Sequence, residues 1–190
     1  MRYSSIRKMD VSNGQGIGVS LFVQGCHFHC KGCFNPETWD FNGGKEWTKE
    51  IEDKFLSLAN HEYIQRVSIL GGEPLCDENI ETVSALINKI RDLFPNKKIW
   101  IYSGYTWENL VTLRKHEFIK EADVLVDGSF QLDTLSYSPF RIFRQITTGE
   151  RQHFSADNFP DTIIRYFAEN CKVFFVIFRA EYIVCVSKSP

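Results

Sequence analysis

The chain has 190 residues, 43% of them hydrophobic and 24% charged, with a formal charge of −2. That length and balance fit a single globular domain that can bury a core without disulfide staples. They leave no basic footprint for nucleic acid or an acidic membrane. Met1-Arg2-Tyr3-Ser4 lacks the apolar core of a secretory signal, so a cytoplasmic location is expected.

Apolar strand runs alternate with amphipathic helix patterns, which predicts an α/β fold with a mainly parallel sheet. The first predicted strand covers residues 19–24 and runs straight into a cysteine-rich loop. Thr48 then caps a predicted helix with Ile51, Phe55 and Leu58 on one face and Glu50, Glu52 and Asp53 near its positive end. A second strand, residues 66–70, stops at Gly71-Gly72-Glu73-Pro74.

The next helix starts near residues 77–79. Its apolar positions Ile80, Val83, Leu86, Ile87, Ile90, Leu93 and Phe94 recur at helical spacing until Pro95. Residues 98–102 form a third strand, Ser103-Gly104-Tyr105 turns the chain, and Thr106 caps a helix through Leu110 and Leu113. Residues 123–126 give a fourth strand, closed by Asp127-Gly128. The runs 173–178 and 182–186 are apolar but short and interrupted by charge, and read as a buried strand pair rather than a membrane span.

In parallel α/β sheets ligands bind beyond the carboxyl ends of the strands. The cysteine loop, the Gly-Gly-Glu-Pro turn, Ser103-Gly104 and Asp127-Gly128 are therefore expected to converge.

Cys26, Cys30 and Cys33 have the spacing C-x3-C-x2-C. A structural metal site closes its shell with four protein ligands, whereas a reactive one keeps a position open. Three thiolates on a four-iron cubane would leave one iron for a substrate or cofactor. On spacing alone an iron–sulfur cluster leads. A Cys3His zinc site completed by His27 or His29, and unliganded packed thiols, are the alternatives. Cys76, Cys171 and Cys185 read as packed thiols. In the glycine turn, Gly71 and Gly72 allow backbone to approach a ligand, and Glu73 is a candidate acceptor for an ammonium group.

These motifs resemble radical S-adenosylmethionine proteins and, within them, the activating proteins of anaerobic ribonucleoside-triphosphate reductases. The likeness is carried by Asn13-Gly14-Gln15-Gly16, the run from Leu21 to Cys26, the three cysteines and Phe34-Asn35-Pro36-Glu37-Thr38-Trp39. Further on it is carried by the runs Leu70–Leu75, Ile99–Tyr105 and Val124–Gly128, and it covers roughly the first 140 residues. It implies a partial βα barrel over residues 1–140, with 141–190 a divergent segment of unknown role. Cys26, Cys30 and Cys33 would hold a [4Fe-4S] cluster whose fourth iron chelates S-adenosylmethionine. Gly32, Cys33 and Phe34 would lie against that cofactor, and Gly71, Gly72 and Glu73 would meet its ammonium. Ser103 and Asp127 sit at strand ends, where Ser103 is a contact by position and Asp127 reads better as a turn former.

The chemistry so implied is one-electron cleavage of the sulfonium to methionine and a 5′-deoxyadenosyl radical, which takes hydrogen from a backbone glycine of the large reductase subunit. Flavodoxin is the implied reductant. Activation of another glycyl-radical enzyme, a small-molecule radical reaction, and a zinc-bound interaction module are the competing readings. Two departures stand out. Gly18 occupies a position where many members carry arginine. After Phe140-Arg141 the members' Gly-Ser-Ser-Asn-Gln-Arg type of run is replaced by Ile142-Phe143-Arg144-Gln145.

Overall fold

The computed structural model describes residues 1–130 and, beyond them, the backbone of four short strands. In chain order the strands are β1 (Arg2–Asp10), β2 (Gly18–Val23), β3 (Lys45–Glu46), β4 (Arg66–Gly71), β5 (Lys98–Tyr102), β6 (Val124–Asp127), β7 (Ile142–Gln145), β8 (His153–Phe154), β9 (Val173–Phe178) and β10 (Tyr182–Ser187). The helices are α1 (Lys49–Ala59), α2 (Ile80–Leu93) and α3 (Trp107–Thr112), with short 3-10 turns at Pro36–Thr38 and Lys115–Ile119.

The fold is α/β, as the alternation predicts. One sheet runs β3-β1-β2-β4-β5-β6-β7-β8. Its centre, β2-β4-β5-β6, is parallel, while both flanks pair antiparallel, so the sheet is mixed. The sheet continues past residue 140 through β7. β9 and β10 pair with each other in the register Tyr182 to Phe178, as the two apolar runs predict. Their burial lies outside the described residues, as do the packed-thiol readings of Cys171 and Cys185.

β1 is the longest strand that sequence periodicity does not reveal; the short β3, β7 and β8 are likewise not among the predicted ones. In β1 the apolar residues Tyr3, Ile6 and Met9 recur every third position rather than every second. Register shifts between Tyr3 and Ser5 and between Arg7 and Asp10 explain this, since each bulge resets which face a residue meets. Two predicted helix faces also run too far. Leu93 and Leu113 are each 53% exposed, because α2 ends at Phe94 (φ −135°) and α3 ends just before the left-handed Arg114.

One sheet face carries Val19, Leu21, Val23, Val67, Ile69, Ile99, Ile101 and Leu125, all fully buried, against α1 and α2. α2 presents Ile80, Val83, Leu86, Ile87 and Ile90 to that layer, and truncating Leu86 to Ala would cost about 2–5 kcal/mol. The opposite face is more polar. Gly18, Ser20 and Phe22 there stand level with Arg66, Ser68 and Leu70, followed by Trp100 on the next strand. Arg66 is fully buried, donates to the Asp10 carbonyl (2.7 Å) and Ser68 Oγ (2.6 Å), and lies 3.6 Å from the Asp10 carboxylate. A Cβ on Gly18 would come within 2.5 Å of Arg66 Cγ and Nη1. In this chain the arginine of β4 fills the space beside that glycine.

Candidate functional site

The parallel centre sets where the site lies. β2, β4 and β5 end together, and the segments that leave them bound one cleft. It is lined by Cys26, Phe28, Cys30, Cys33, Phe34, Leu70–Glu73, Tyr102–Gly104 and Phe130, among others, and encloses about 590 Å³ with its open mouth. The convergence expected for the cysteine loop, the glycine turn and Ser103-Gly104 is therefore observed. Asp127-Gly128 is not part of it: Asp127 Oδ2 accepts the first helical N–H of α3, from Trp107, at 2.7 Å.

Of the individual residues singled out above, Cys26, Cys30, Cys33, Phe34, Gly71, Gly72, Glu73 and Ser103 line the cleft. Gly32 is exposed, with φ +75°, and is not among the lining residues. Its left-handed backbone serves the tight turn in which the Cys33 N–H donates to the Cys30 carbonyl at 3.0 Å. Phe34 is 46% exposed at the mouth, edge-on to Phe130 at 4.8 Å.

The cysteine loop and the glycine turn are joined by backbone. The Gly72 N–H donates to the Val23 carbonyl (2.9 Å) and the Glu73 N–H to the Gly25 carbonyl (2.7 Å). A side chain on Gly72 would overlap that same Gly25 carbonyl, so close approach of two main chains is what requires glycine here. At Gly71 the requirement is conformational as well, with φ +107°.

Glu73 is buried, and its carboxylate is already engaged. It accepts from Ser103 Oγ (2.8 Å), the Gly104 N–H (2.7 Å) and the Leu75 N–H (2.9 Å). It thereby ties the end of β4 to the end of β5. Burial pushes the Cys26 thiol above its ordinary range, against the lowering effect of N–H groups from Phe28 and His29, with the Glu73 charge adding to the rise. Metal binding must then drive the loss of that proton.

Both histidines of the loop turn away from the cysteines. His27 faces Glu78 at 3.1 Å and packs on Phe41, while His29 stacks on Trp39 at 4.8 Å. Among the described residues no group of three His, Cys, Asp or Glu gathers at the spacing of a single metal ion. Cys76 is buried below the turn, its thiol pushed up to about 12 chiefly by burial, as expected for a packed thiol.

Sequence reasoning missed Gln24 and Asn79. Gln24 is buried at the end of β2, and its amide donates to the carbonyls of Glu37 (3.0 Å) and Asp40 (2.8 Å), holding the segment that follows the cysteines. Asn79 sits just before α2 and looks in sequence like an ordinary helix cap. A polar residue closing an apolar strand was the only signal for Gln24.

Three thiols on one loop beside a glycine turn at parallel strand ends have the form of a cysteine-ligated iron–sulfur protein. The family model for the 4Fe-4S single cluster domain matches residues 12–143. The chain is 38% identical over 135 residues to the anaerobic ribonucleoside-triphosphate reductase-activating protein of Salmonella typhi, covering 70% of this chain and 87% of that one. It is 37% identical to the protein of that name from Enterobacteria phage T4 (69% and 82% covered) and 36% identical to that from Escherichia coli K12 (70% and 87%). The chain belongs to the 4Fe-4S single cluster domain family and, within it, to the anaerobic ribonucleoside-triphosphate reductase-activating proteins.

The residues present fit such a cluster. Cys26, Cys30 and Cys33 line one cleft together, and the thiolate set is chemically suited to iron.

Proposed function

We propose that this chain is a radical S-adenosylmethionine activase that generates a glycyl radical on the large subunit of an anaerobic ribonucleoside-triphosphate reductase. The observation that carries this reading is the meeting of three cysteines and a glycine turn in one cleft of a family member. Cys26, Cys30 and Cys33 would hold a [4Fe-4S] cluster by three of its irons. When bound, cluster and cofactor together supply reductive cleavage of the sulfonium and hydrogen abstraction from a backbone glycine.

The chain's own residues bind and orient. Gly71 and Gly72 would offer main-chain groups to the cofactor's ammonium. Glu73 would contribute acceptor capacity beyond the bonds it already makes to β5, with Ser103 fixed beside it. Cys33 and Phe34 would lie on the cofactor's other side, Gly32 shaping the turn that presents them, with Phe34 and Phe130 narrowing the mouth against water.

Residues 1–140 are proposed as the radical core, shaped as a partial βα barrel whose open side admits the partner's glycine loop, and 141–190 as a divergent addition. Flavodoxin is the proposed reductant and the cytoplasm the proposed compartment. No helix among the described residues is long and apolar enough to cross a membrane.

The test is anaerobic reconstitution with iron and sulfide, reduction, and incubation with S-adenosylmethionine. Methionine and 5′-deoxyadenosine are expected from the wild-type chain and from none of Cys26→Ala, Cys30→Ala or Cys33→Ala. Cleavage retained in any of the three variants would contradict the assignment.

A further inference from the structure

Asn79 immediately precedes α2, yet its side chain makes no bond to that helix. Its backbone lies in the right-handed helical region (φ −110°, ψ −31°), whereas a capping residue normally takes an extended conformation that aims its side chain at the free N–H groups. Nδ2 instead donates to the Gln24 carbonyl at 2.9 Å and to the Glu73 carbonyl at 3.1 Å. Both neighbours are acceptors only, so the amide nitrogen must face them. Asn79 is 2% exposed.

The two carbonyls belong to different parts of the site. Gln24 lies two residues before Cys26, and Glu73 closes the glycine turn. A single amide therefore bridges the segment that carries the cysteines and the turn proposed to hold the cofactor. It acts beside the main-chain bond from Glu73 to Gly25, which links the same two segments.

We propose that Asn79 is a positioning residue that sets the separation between the cysteine loop and the cofactor-binding turn. This rests on the reading that the cleft takes S-adenosylmethionine beside a cluster. Without the amide, the Gln24 and Glu73 carbonyls lose a shared donor, and only the main-chain bonds from Gly72 to Val23 and from Glu73 to Gly25 still hold the turn, which shifts against the cysteine loop while each thiol keeps its place in the chain. Cluster uptake should then survive while the cofactor's fit to the cluster is lost.

The experiment compares the cluster-loaded full chain with Asn79→Ala, measuring iron and sulfide content, S-adenosylmethionine Kd, and the electron paramagnetic resonance spectrum of the reduced cluster with and without S-adenosylmethionine. The variant is expected to match wild type in iron, sulfide and the cofactor-free spectrum. Its Kd should rise about tenfold or more, with a weakened cofactor-induced spectral change. A Kd within about twofold of wild type in a loaded variant overturns the proposal, since a merely structural role lowers thermal stability without moving Kd.

If Asn79→Ala does not load, Asn79→Asp, which keeps the shape and removes the donor, is read by hydrogen exchange on the full chain. Selective acceleration at the Gly72 and Glu73 amides supports the strut, and uniform acceleration that includes Ile69 and Ile101 overturns it. Failure of the loaded wild-type chain to bind S-adenosylmethionine would count against the functional reading, leaving the strut to be decided by exchange.

Discussion

The Glu73 N–H donates to the Gly25 carbonyl at 2.7 Å, fixing the glycine turn against the residue that precedes the first cysteine. The two motifs lie far apart in sequence, and this bond makes them one surface. It depends on Gly72, whose missing side chain lets the two main chains touch.

Gly72→Val should therefore push the turn off the cysteine loop. The expected result is a loss of about tenfold or more in S-adenosylmethionine affinity with iron content retained, measured by equilibrium binding to the loaded protein. Unchanged affinity would remove the turn from the site.

Glu73→Gln probes the link from β4 to β5. The glutamine amide keeps one acceptor oxygen for Leu75 and Ser103 but sets an NH2 group against the Gly104 N–H. A buried donor left unpaired costs about 1–3 kcal/mol, so the urea midpoint should fall by that equivalent. Ser103→Ala removes the hydroxyl's bond to the carboxylate and the acceptor of the Tyr105 N–H (3.1 Å) but leaves the Gly104 and Leu75 N–H groups paired with Glu73; a destabilised Ser103→Ala beside an unaffected Glu73→Gln would contradict the geometry.

Thiol reactivity separates the cysteines. Only the thiolate reacts, and Cys76 is buried with its thiol pushed up to about 12, whereas Cys30 and Cys33 are partly exposed. In the cluster-free chain at neutral pH an alkylating reagent should modify Cys30 and Cys33 and leave Cys76 untouched, read by peptide mass spectrometry. Labelling of Cys76 at a comparable rate would show that the region beneath the turn opens.

The polar surroundings of Asp10 predict acid sensitivity. Burial alone would raise the Asp10 carboxyl. Its polar neighbours Ser20, Asn13 and Ser12, with the Arg66 charge, outweigh that and hold it below its ordinary 3.8. A carboxyl depressed on folding adds stability that is fully present above the unfolded pKa and is lost as pH falls through the folded one. Unfolding free energy should accordingly fall as pH drops below about 4, and Asp10→Asn should flatten that slope while lowering stability at pH 7. An identical slope in the variant would show that other carboxylates carry the effect.

Much of this was legible in the sequence because local patterns dominate where they are strong. The parallel strands, the Thr48 and Thr106 caps and the buried stripe of α2 follow directly from periodicity and capping chemistry. β1 was hidden because its bulges break the two-residue period. Among site residues the cysteines and glycines announce themselves by spacing. Gln24 and Asn79 do not, since their roles depend on carbonyls at long sequence separation. Glu73 was found for a reason the structure refines: its carboxylate is first a brace for Ser103 and Gly104.

The central claim is tested most directly by electron paramagnetic resonance. The reconstituted, reduced chain is mixed anaerobically with S-adenosylmethionine and the large subunit of an anaerobic ribonucleoside-triphosphate reductase. A glycyl radical doublet on that subunit is the predicted result, absent when Cys26→Ala replaces the wild-type chain. A loaded wild-type protein that cleaves S-adenosylmethionine yet leaves the subunit without a radical would contradict the account.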